Sequence, residues 1–242
     1  ILAPVIRGIE AENGVIVDEF DKGYPSAGTR NISACIGNRV CPFANFDTTS
    51  LAFKIEKSVF PNDHHVKIAV TVCPNDCIKA HVQDYGIIGI CQPEYEASMC
   101  IGCEACVKNC TKRVTGALTM VNGKVKRDER RCIGCGECVM KCPVAAWTRN
   151  PKKFYRLVIM GRTGKKNPRL AQTFIEMVDE ESIIKILKNT YKFVDDHIDK
   201  TLDKEHVGYI VDRTGYQKFK EYVLDGVELN KEARVAEFLN FN

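Results

Sequence analysis

The sequence predicts an α+β protein, a layered domain whose chain is interrupted by a small cysteine-rich domain. Outside residues 97–149, patterns typical of strands alternate with patterns typical of helices. Within that range lie eight of the thirteen cysteines. A chain of 242 residues with 45% hydrophobic residues can bury a substantial core. We therefore expect a first segment at 1–96, an inserted domain at 97–149, and a resumed first domain at 150–242.

In the first segment, a predicted helix precedes a predicted strand. The TTS triplet at 48–50 stands before LAFKIEK and is typical of a helix start. VKIAVTV at 66–72 alternates branched apolar residues with Lys67, Ala69 and Thr71, which predicts a strand. This strand runs into CPNDC at 73–77, where Pro74 suits the first turn of a helix. The cysteines at 73 and 77 are therefore expected at a strand-to-helix corner.

Two further elements are predicted in the insert and after it. ALTMV at 117–121 and KVKRD at 124–128 flank Asn122-Gly123, and this pattern predicts a β-hairpin with a two-residue turn. DEESIIKILKNTYKFVDDHI at 179–198 repeats apolar residues at helical spacing, so we expect a helix packed on the core.

Charge and hydropathy exclude several functional classes. A formal net charge of +4 is far from the basic excess expected of a nucleic-acid binder. The longest apolar runs, IIGI at 87–90 and RLVIM at 156–160, are much shorter than the roughly 18 residues of a membrane span. No secretory signal pattern opens the chain, so we expect a soluble cytoplasmic protein. The first residue is Ile1 rather than Met, which agrees with an upstream part being absent.

The cysteines favour metal binding over disulfides. Their number is odd, and they occur in clusters of short spacing. The clearest cluster is C-x2-C-x2-C-x3-C, which occurs twice, the second time followed by Pro143. This is the bacterial run for two 4Fe-4S clusters, in which the fourth cysteine of each motif binds the other cluster. One predicted ligand set is Cys100, Cys103, Cys106 and Cys142, and the other is Cys132, Cys135, Cys138 and Cys110. Two zinc ribbons are the alternative, although zinc sites rarely use three cysteines at double x2 spacing.

Five cysteines remain outside these motifs, and four of them form two pairs. Cys35 and Cys41 are spaced C-x5-C, and Cys73 and Cys77 are spaced C-x3-C. Each pair stands beside a predicted helix start, so the two pairs could close around one further cubane. Cys91 belongs to no spacing and is expected to be a small buried apolar residue. Trp147, just after the second motif, is expected to serve packing.

The combined pattern resembles the sirohaem-containing sulfite and nitrite reductases. The resemblance rests on RNISAC at 30–35, KIAVTVCPNDC at 67–77, the two-cluster ferredoxin insert, and RLVIMGRTGKKNPRLA at 156–171, and it covers nearly the whole chain. It implies the C-terminal half of a pseudo-symmetric reductase. The preceding half would be absent from this sequence.

The resemblance also implies roles for individual residues. The cysteines at 35, 41, 73 and 77 would hold a third 4Fe-4S cluster, and Cys77 would also bind the sirohaem iron. Arg30 would bind the substrate anion, and Lys67 would deliver protons. His65 stands where the family usually has a second lysine and would be a proton donor or a plain exposed residue. Asn75 would orient the loop under the haem or cap a helix.

Two further places in the sequence bear on the resemblance: one departs from the family pattern, and the other matches it weakly. Val72 replaces the glycine common before CPN, and its larger side chain would crowd the corner. In the GRTGKKNPR loop, four cations would contact the sirohaem carboxylates or simply form a basic surface; these are Arg162, Lys165, Lys166 and Arg169.

The implied function is the six-electron reduction of sulfite to sulfide. Its cofactors would be sirohaem and three 4Fe-4S clusters, and its partners would be flavin, NADH-oxidising and iron-sulfur proteins that supply electrons. Nitrite reduction uses the same cofactors and is one alternative. A non-catalytic iron-sulfur electron carrier is the other.

Overall fold

The computed structural model describes residues 32–60, 64–163, 167–202 and 205–239. Its centre is a six-stranded mixed sheet. The strands lie side by side in the order β1 (Ile32–Ala34), β2 (Ile68–Thr71), β3 (Tyr85–Ile90), β8 (Phe154–Ile159), β9 (Gln172–Val178) and β10 (Arg234–Val235). The mixed, layered α and β architecture confirms the predicted fold class, and the inserted ferredoxin domain stays a prediction.

The first three strands of this sheet are parallel, and the last three pair antiparallel. In register, Ile68 of β2 lies opposite Ile32 of β1 and Tyr85 of β3. All four residues of β2 and all six of β3 are buried. The alternation in 66–72 therefore predicted the strand but not its burial, because a parallel strand covered on both faces needs no polar face.

Helices cover one face of the sheet and form the main core with it. They are α1 (Thr48–Val59), α4 (Glu180–His197), α5 (Val207–Thr214) and α6 (Tyr216–Leu224). Asp47 caps α1 by accepting hydrogen bonds from the backbone N–H groups of Thr49 and Ser50, and Asp179 caps α4. Leu51 and Ile55 of α1 share one buried apolar cluster with Ile183 and Leu187 of α4. The predicted helix starts are confirmed, with an aspartate as the capping residue of each.

The connection from β2 to β3 carries no α-helix. Residues 73–79 form turns, and a 3-10 helix follows at Ala80–Val82. Ala80 packs so closely on the sheet that a Cβ added to Gly86 would lie 2.8 Å from its carbonyl oxygen. The helix predicted to start at Pro74 is therefore wrong. Asp76 has a left-handed backbone (φ 46°), which interrupts a helix after its first turn.

The cysteine-rich segment leaves the domain and returns to it through one two-stranded ladder. β4 (Pro93–Tyr95) pairs antiparallel with β7 (Trp147–Arg149), and Tyr95 lies opposite Trp147. Between them lie α2 (Ala105–Arg113), α3 (Glu137–Lys141) and a hairpin of β5 (Leu118–Val121) and β6 (Lys124–Arg127). The hairpin confirms the prediction from ALTMV-NG-KVKRD. No helix in the described part of the chain is long and apolar enough to cross a membrane.

Candidate metal centres

The first cysteine pair lies on a short turn between β1 and α1. A 3-10 helix at Gly37–Arg39 separates Cys35 from Cys41. The Thr48 hydroxyl at the start of α1 donates to the Cys35 carbonyl oxygen over 3.0 Å. A Cβ at Gly37 would stand 2.0 Å from that hydroxyl, and Gly37 has φ 56°, so this turn requires glycine. The turn therefore holds Cys35 against the helix start.

The second cysteine pair follows β2, and Asp76 shapes its turn. The Asp76 carboxylate accepts hydrogen bonds from the Ala80 N–H at 2.7 Å and from the His81 N–H, and it contacts the His81 ring Nδ1 at 2.7 Å. Burial raises the pKa of Asp76, but these hydrogen bonds outweigh it and hold the pKa below its ordinary value of 3.8. Sequence reasoning missed both residues, although an aspartate before a short helix is a known capping signal.

The two pairs converge at the C-terminal end of β2. The Val72 N–H donates to the Cys35 sulfur over 3.2 Å, which ties the first turn to the second. Burial raises the pKa of the Cys73 thiol, and the neighbouring sulfurs at 41, 77 and 35 raise it further. All four sulfurs therefore lie close enough to interact. Val72 is buried within this arrangement and belongs to the main core, and its crowding of a bound cofactor stays a prediction.

The four sulfurs differ in exposure. Cys35 and Cys73 are buried, Cys41 is half-buried, and Cys77 is exposed. The Asn75 side-chain amide donates to the Cys77 sulfur over 3.2 Å. Ile36 and Val40 stand on the turn of the first pair with 61% and 71% of their surface exposed. The group thus presents one sulfur outward beside apolar side chains, and Asn75 orients that sulfur.

A second cysteine group lines one small cavity in the inserted segment. The cavity is bounded by four of the predicted ligands, Cys110, Cys132, Cys135 and Cys138, together with other residues that include the apolar Val114, Leu118 and Ile133. Burial raises the pKa of Cys135, and its neighbours Cys132 and Cys110 raise it further. Burial also raises the pKa of Cys138 to about 12. The fourth cysteine of the first motif thus lies with the three leading cysteines of the second motif.

Three of the remaining four cysteines, Cys100, Cys106 and Cys142, gather around Tyr95 and Trp147. Cys106 is buried in the same apolar cluster as Trp147, and Tyr95, Cys100 and Cys142 pack against this cluster. Burial raises the pKa of Cys106, the indole N–H of Trp147 lowers it, and Cys142 raises it. Cys103, the fourth member of this group, is exposed. The Ala146 N–H donates to the Cys142 sulfur over 3.2 Å.

These donor sets fit iron-sulfur clusters. All thirteen cysteines are free thiols. Within the described ranges, no three Cys, His, Asp or Glu side chains are grouped as ligands of a single metal ion. The hydrogen bonds from N–H groups to cysteine sulfurs are of the kind that stabilise thiolate ligands of clusters.

A cavity of about 320 Å³ separates the cysteine pairs of the sheet domain from the inserted segment. Phe43, Cys73 and Asn75 line one side, and Ile133 and Cys135 line the other. The second cysteine group therefore faces Cys73 across this space. Motif spacing could not predict this arrangement, because it depends on how the insert sits on the domain.

Cys91 lies directly behind the second cysteine group. Its N–H donates to the Gly134 carbonyl oxygen over 2.7 Å, and a Cβ at Gly136 would lie 3.3 Å from its sulfur. Burial raises the pKa of Cys91 to about 11. Cys91 is therefore a small buried residue, as the sequence predicts. Its sulfur lies so close to position 136 that glycine fits there best.

Two arginines of the basic loop after β8 pair with one aspartate of α5. Asp212 of α5 accepts hydrogen bonds from Arg162 at 2.8 Å and from Arg169 at 2.7 Å. Arg162 is 8% exposed and lies over the Tyr209 ring at 4.1 Å. Arg162 and Arg169 are thus engaged with Asp212, which no local sequence pattern reveals, and their contact with sirohaem carboxylates stays a prediction. Lys165 and Lys166 lie outside the described residues.

Two of the predicted substrate residues, Lys67 and His65, lie away from the cysteine corner. Lys67 precedes β2, and Cys73 follows it, which separates the two residues by about 20 Å of extended chain. The His65 ring packs on the His206 ring at 4.6 Å, and His206 contacts the buried Asp84 at 3.0 Å. Lys67 and His65 therefore stand at the opposite end of the strand from Cys73. Arg30 lies outside the described residues.

Comparison with known proteins agrees with this geometry. The model of the family described as nitrite and sulphite reductase 4Fe-4S domain matches residues 26–232. One of the subunits of the anaerobic sulfite reductase of Salmonella typhimurium is 46% identical over 237 residues, which cover 98% of this chain and 70% of that protein. Coenzyme F420-dependent sulfite reductase of Methanocaldococcus jannaschii is 30% identical over 224 residues, covering 90% of this chain and 35% of that protein.

A solved structure shares the fold. The crystal structure of dissimilatory sulfite reductase I superposes with a TM-score of 0.61 over 88% of this chain and 56% of that chain, at 17% identity. This likeness concerns the fold alone. From the family match over 26–232 and the 46% identity, the chain belongs to the nitrite and sulphite reductase 4Fe-4S domain family.

Proposed function

We propose that this chain is the catalytic subunit of a sirohaem-dependent sulfite reductase that converts sulfite to sulfide. The observation that carries the proposal is the convergence of two cysteine pairs, one at each of two turns, within a family whose relatives are named sulfite reductases. Sulfite is favoured over nitrite because the relatives at 46% and 30% identity carry that name.

The proposed cofactors are three 4Fe-4S clusters and one sirohaem. The reductase cluster is held by Cys35, Cys41, Cys73 and Cys77. Two ferredoxin-type clusters are held by the crossed sets that the inserted segment gathers. When bound, these groups supply the six electrons, one at a time, and the open coordination site that sulfite reduction needs.

Cys77 is the proposed shared ligand of cluster and sirohaem. Its sulfur is exposed, whereas those of Cys35 and Cys73 are buried, so it is the member of the set that can reach a second metal. The Asn75 amide holds this sulfur in place. Ile36 and Val40 offer exposed apolar surface of the kind that a macrocycle covers.

The cavity between Cys73 and Cys135 supports the position of the second cluster. Because these two residues line the same space, the second cysteine group is the one placed next to the reductase cysteines. The first group is held by Tyr95 and Trp147.

We propose fewer residues for the substrate and sirohaem contacts than the resemblance implies. Arg30 remains the proposed sulfite-binding residue, because a guanidinium can donate two parallel hydrogen bonds to the anion's oxygens. Lys67 and His65 are not assigned a role, since β2 separates them from Cys73. Among the basic loop residues, Lys165 and Lys166 are the proposed contacts for sirohaem carboxylates, since Asp212 engages both arginines.

The proposed partners are electron-donating proteins of a larger assembly. The relative from Salmonella typhimurium is named as one subunit of its enzyme. We propose flavin-containing, NADH-oxidising and iron-sulfur partners in the cytoplasm, which would reduce the clusters of this chain.

Substitution of Cys77 tests the proposal. Cys77→Ser is expected to lose the sirohaem absorption bands, while electron paramagnetic resonance still detects both ferredoxin-type clusters. Cys91→Ser is the matched control, because Cys91 is buried and belongs to no ligand set. An unchanged haem spectrum in Cys77→Ser would contradict the shared-ligand assignment.

Two measurements on the unaltered protein separate the alternatives. Turnover of sulfite and of nitrite with a reduced dye distinguishes the two reductases. Iron and acid-labile sulfide without extractable sirohaem would identify an electron carrier instead.

A further inference from the structure

One end of the inserted segment carries an exposed apolar patch beside the first cysteine group. We name it the hairpin patch and define it by Met99, Ile101, Val121, Lys124 and Lys126. Met99, Ile101 and Val121 are exposed to 49%, 66% and 48%. Large apolar side chains that cluster at the surface mark interaction sites more often than those that occur singly.

The members of the hairpin patch are held together by direct contacts. The Lys124 ammonium donates to the carbonyl oxygens of Ala97 at 2.7 Å and Cys100 at 2.8 Å. A Cβ at Gly102 would lie 3.3 Å from the Gly123 carbonyl oxygen. The turn of the hairpin thus rests on the 97–102 segment. This places Val121 beside Ile101.

The hairpin patch presents apolar and positive groups on one face. Val121 lies directly opposite Lys124 in the ladder, and Thr119 lies opposite Lys126. All four side chains are exposed, while Val125 between the lysines is buried. This face of the hairpin therefore carries one exposed apolar side chain, one threonine and two lysines.

The inserted segment as a whole is basic. Between residues 97 and 149 there are ten lysines and arginines against four acidic residues, while the whole chain has a formal net charge of +4. The positive excess of the chain is thus concentrated in this segment. Bound clusters add negative charge, but the cations lie at the surface, where they meet an approaching partner first.

The hairpin patch lies next to an exposed cysteine of the first set. Cys103, an exposed ligand of the first set, follows Ile101 by two residues. In the second set, Cys135 faces Cys73 across the cavity between the two segments. The hairpin patch is therefore the surface from which a partner protein reaches the outer cysteine group.

A larger cleft beside Cys132 is less suited to this role. It has a volume of about 450 Å³ and is lined by Arg127, Arg156, Glu176 and Arg234 among others. Three of its five cations are already paired, because Glu176 accepts hydrogen bonds from both Arg156 and Arg234, and Arg127 pairs with Glu129. The cleft also exposes three carboxylates, which would repel an acidic partner.

We propose that the hairpin patch is the docking surface for an acidic one-electron carrier protein. This inference rests on the proposed function, since it takes the first cysteine set as a cluster ligand set. Small, salt-sensitive interfaces are typical of redox partners, and the three apolar side chains with flanking lysines match that type.

Binding of a flavodoxin of negative net charge to the holoprotein tests the docking surface. We expect the double variant Ile101→Glu/Val121→Glu to raise the dissociation constant about tenfold or more in low salt, measured by calorimetry. Lys126→Glu should raise it as well and reduce the dependence of affinity on salt. The control is Leu202→Glu, which introduces the same charge at a position outside the inserted segment. The Leu202 side chain is 49% exposed, and its replacement should change the affinity less than about twofold.

The possible outcomes separate this inference from the proposed function. Absence of the ferredoxin-type signals in electron paramagnetic resonance of the unaltered protein would refute the cluster assignment. If the signals are normal but the patch variants bind flavodoxin as tightly as the unaltered protein, the docking inference is overturned. It is also overturned if gel filtration shows that the variants dissociate an oligomer, because the occupant is then a second copy of this chain. Should the double variant not fold, Lys126→Glu alone decides between the outcomes.

Discussion

Replacement of Trp147 by phenylalanine should lower the reduction potential of one cluster and leave the other unchanged. Trp147 is 3% exposed, and its indole Nε1 makes no regular hydrogen bond in the described part of the chain. The indole N–H nevertheless lowers the pKa of Cys106, which burial raises. A thiolate accepts hydrogen bonds better than a thiol, so ionisation of Cys106 on cluster binding gives this N–H a partner. Phenylalanine keeps the ring contact with Tyr95 at 4.6 Å and removes the donor.

The expected size follows from the energy of one charge-assisted hydrogen bond. A hydrogen bond to a charged acceptor contributes about 1.5–3 kcal/mol of stabilisation. For a one-electron couple, about 1.4 kcal/mol corresponds to roughly 59 mV. The reduced and oxidised clusters both accept the bond, and only the difference between them changes the potential. The full bond energy corresponds to about 60–130 mV, and we take about a third to a half of it as this difference, which gives an expected decrease of about 20–60 mV for the cluster of the first set.

A redox titration followed by electron paramagnetic resonance measures this decrease. The cluster of the second set serves as an internal reference, because its cysteines line a separate cavity. Met120→Leu is the matched control for packing, since Met120 contacts the same apolar cluster and donates no hydrogen bond. Equal potentials in Trp147→Phe and the unaltered protein, or an equal decrease in both clusters, would refute the reasoning.

Three further substitutions probe the residues that support the reductase site. Asp76→Asn should lower the free energy of unfolding by about 1 kcal/mol at pH 7. Because the pKa of Asp76 is lowered in the folded protein, its contribution to stability is present above pH 3.8 and is lost as the pH falls through the lowered pKa. Denaturant unfolding should therefore show that the stabilities of the two proteins converge in acid. Gly86→Ala should cost about 1–3 kcal/mol and reduce iron content, since the new Cβ would stand 2.8 Å from the Ala80 carbonyl oxygen of the segment that follows Cys77. Asp212→Asn should lower stability by about 2 kcal/mol in thermal unfolding, less than the roughly 3–5 kcal/mol of a fully buried pair, and leave cluster content unchanged.

Local patterns predicted the elements that depend on local chemistry. The helix start at 48–50 and the hairpin around Asn122-Gly123 formed as expected, because capping and turn residues act over a few positions. The grouping of cysteines in the inserted segment also follows from local spacing, since the double motif fixes which sulfurs lie on each short helix; the crossed ligand sets themselves stay a prediction. Cys110 accordingly lines the cavity of the second motif.

Features that depend on distant contacts could not be predicted. The strand at 66–72 was correct, but its complete burial follows from pairing with β1 and β3, which the alternation does not encode. Pro74 suggested a helix, and the left-handed backbone at Asp76 prevented it. Arg162 resembled a cofactor contact, yet Asp212, fifty residues later, engages it.

The ladder of Pro93–Tyr95 with Trp147–Arg149 has an evolutionary consequence. Because the chain departs and re-enters on neighbouring strands, the whole cysteine-rich segment can be inserted without adding a strand to the host sheet or taking one away. A tight loop could connect the same two strands in its place. The host sheet could thus have folded before the cysteine-rich segment was inserted into it.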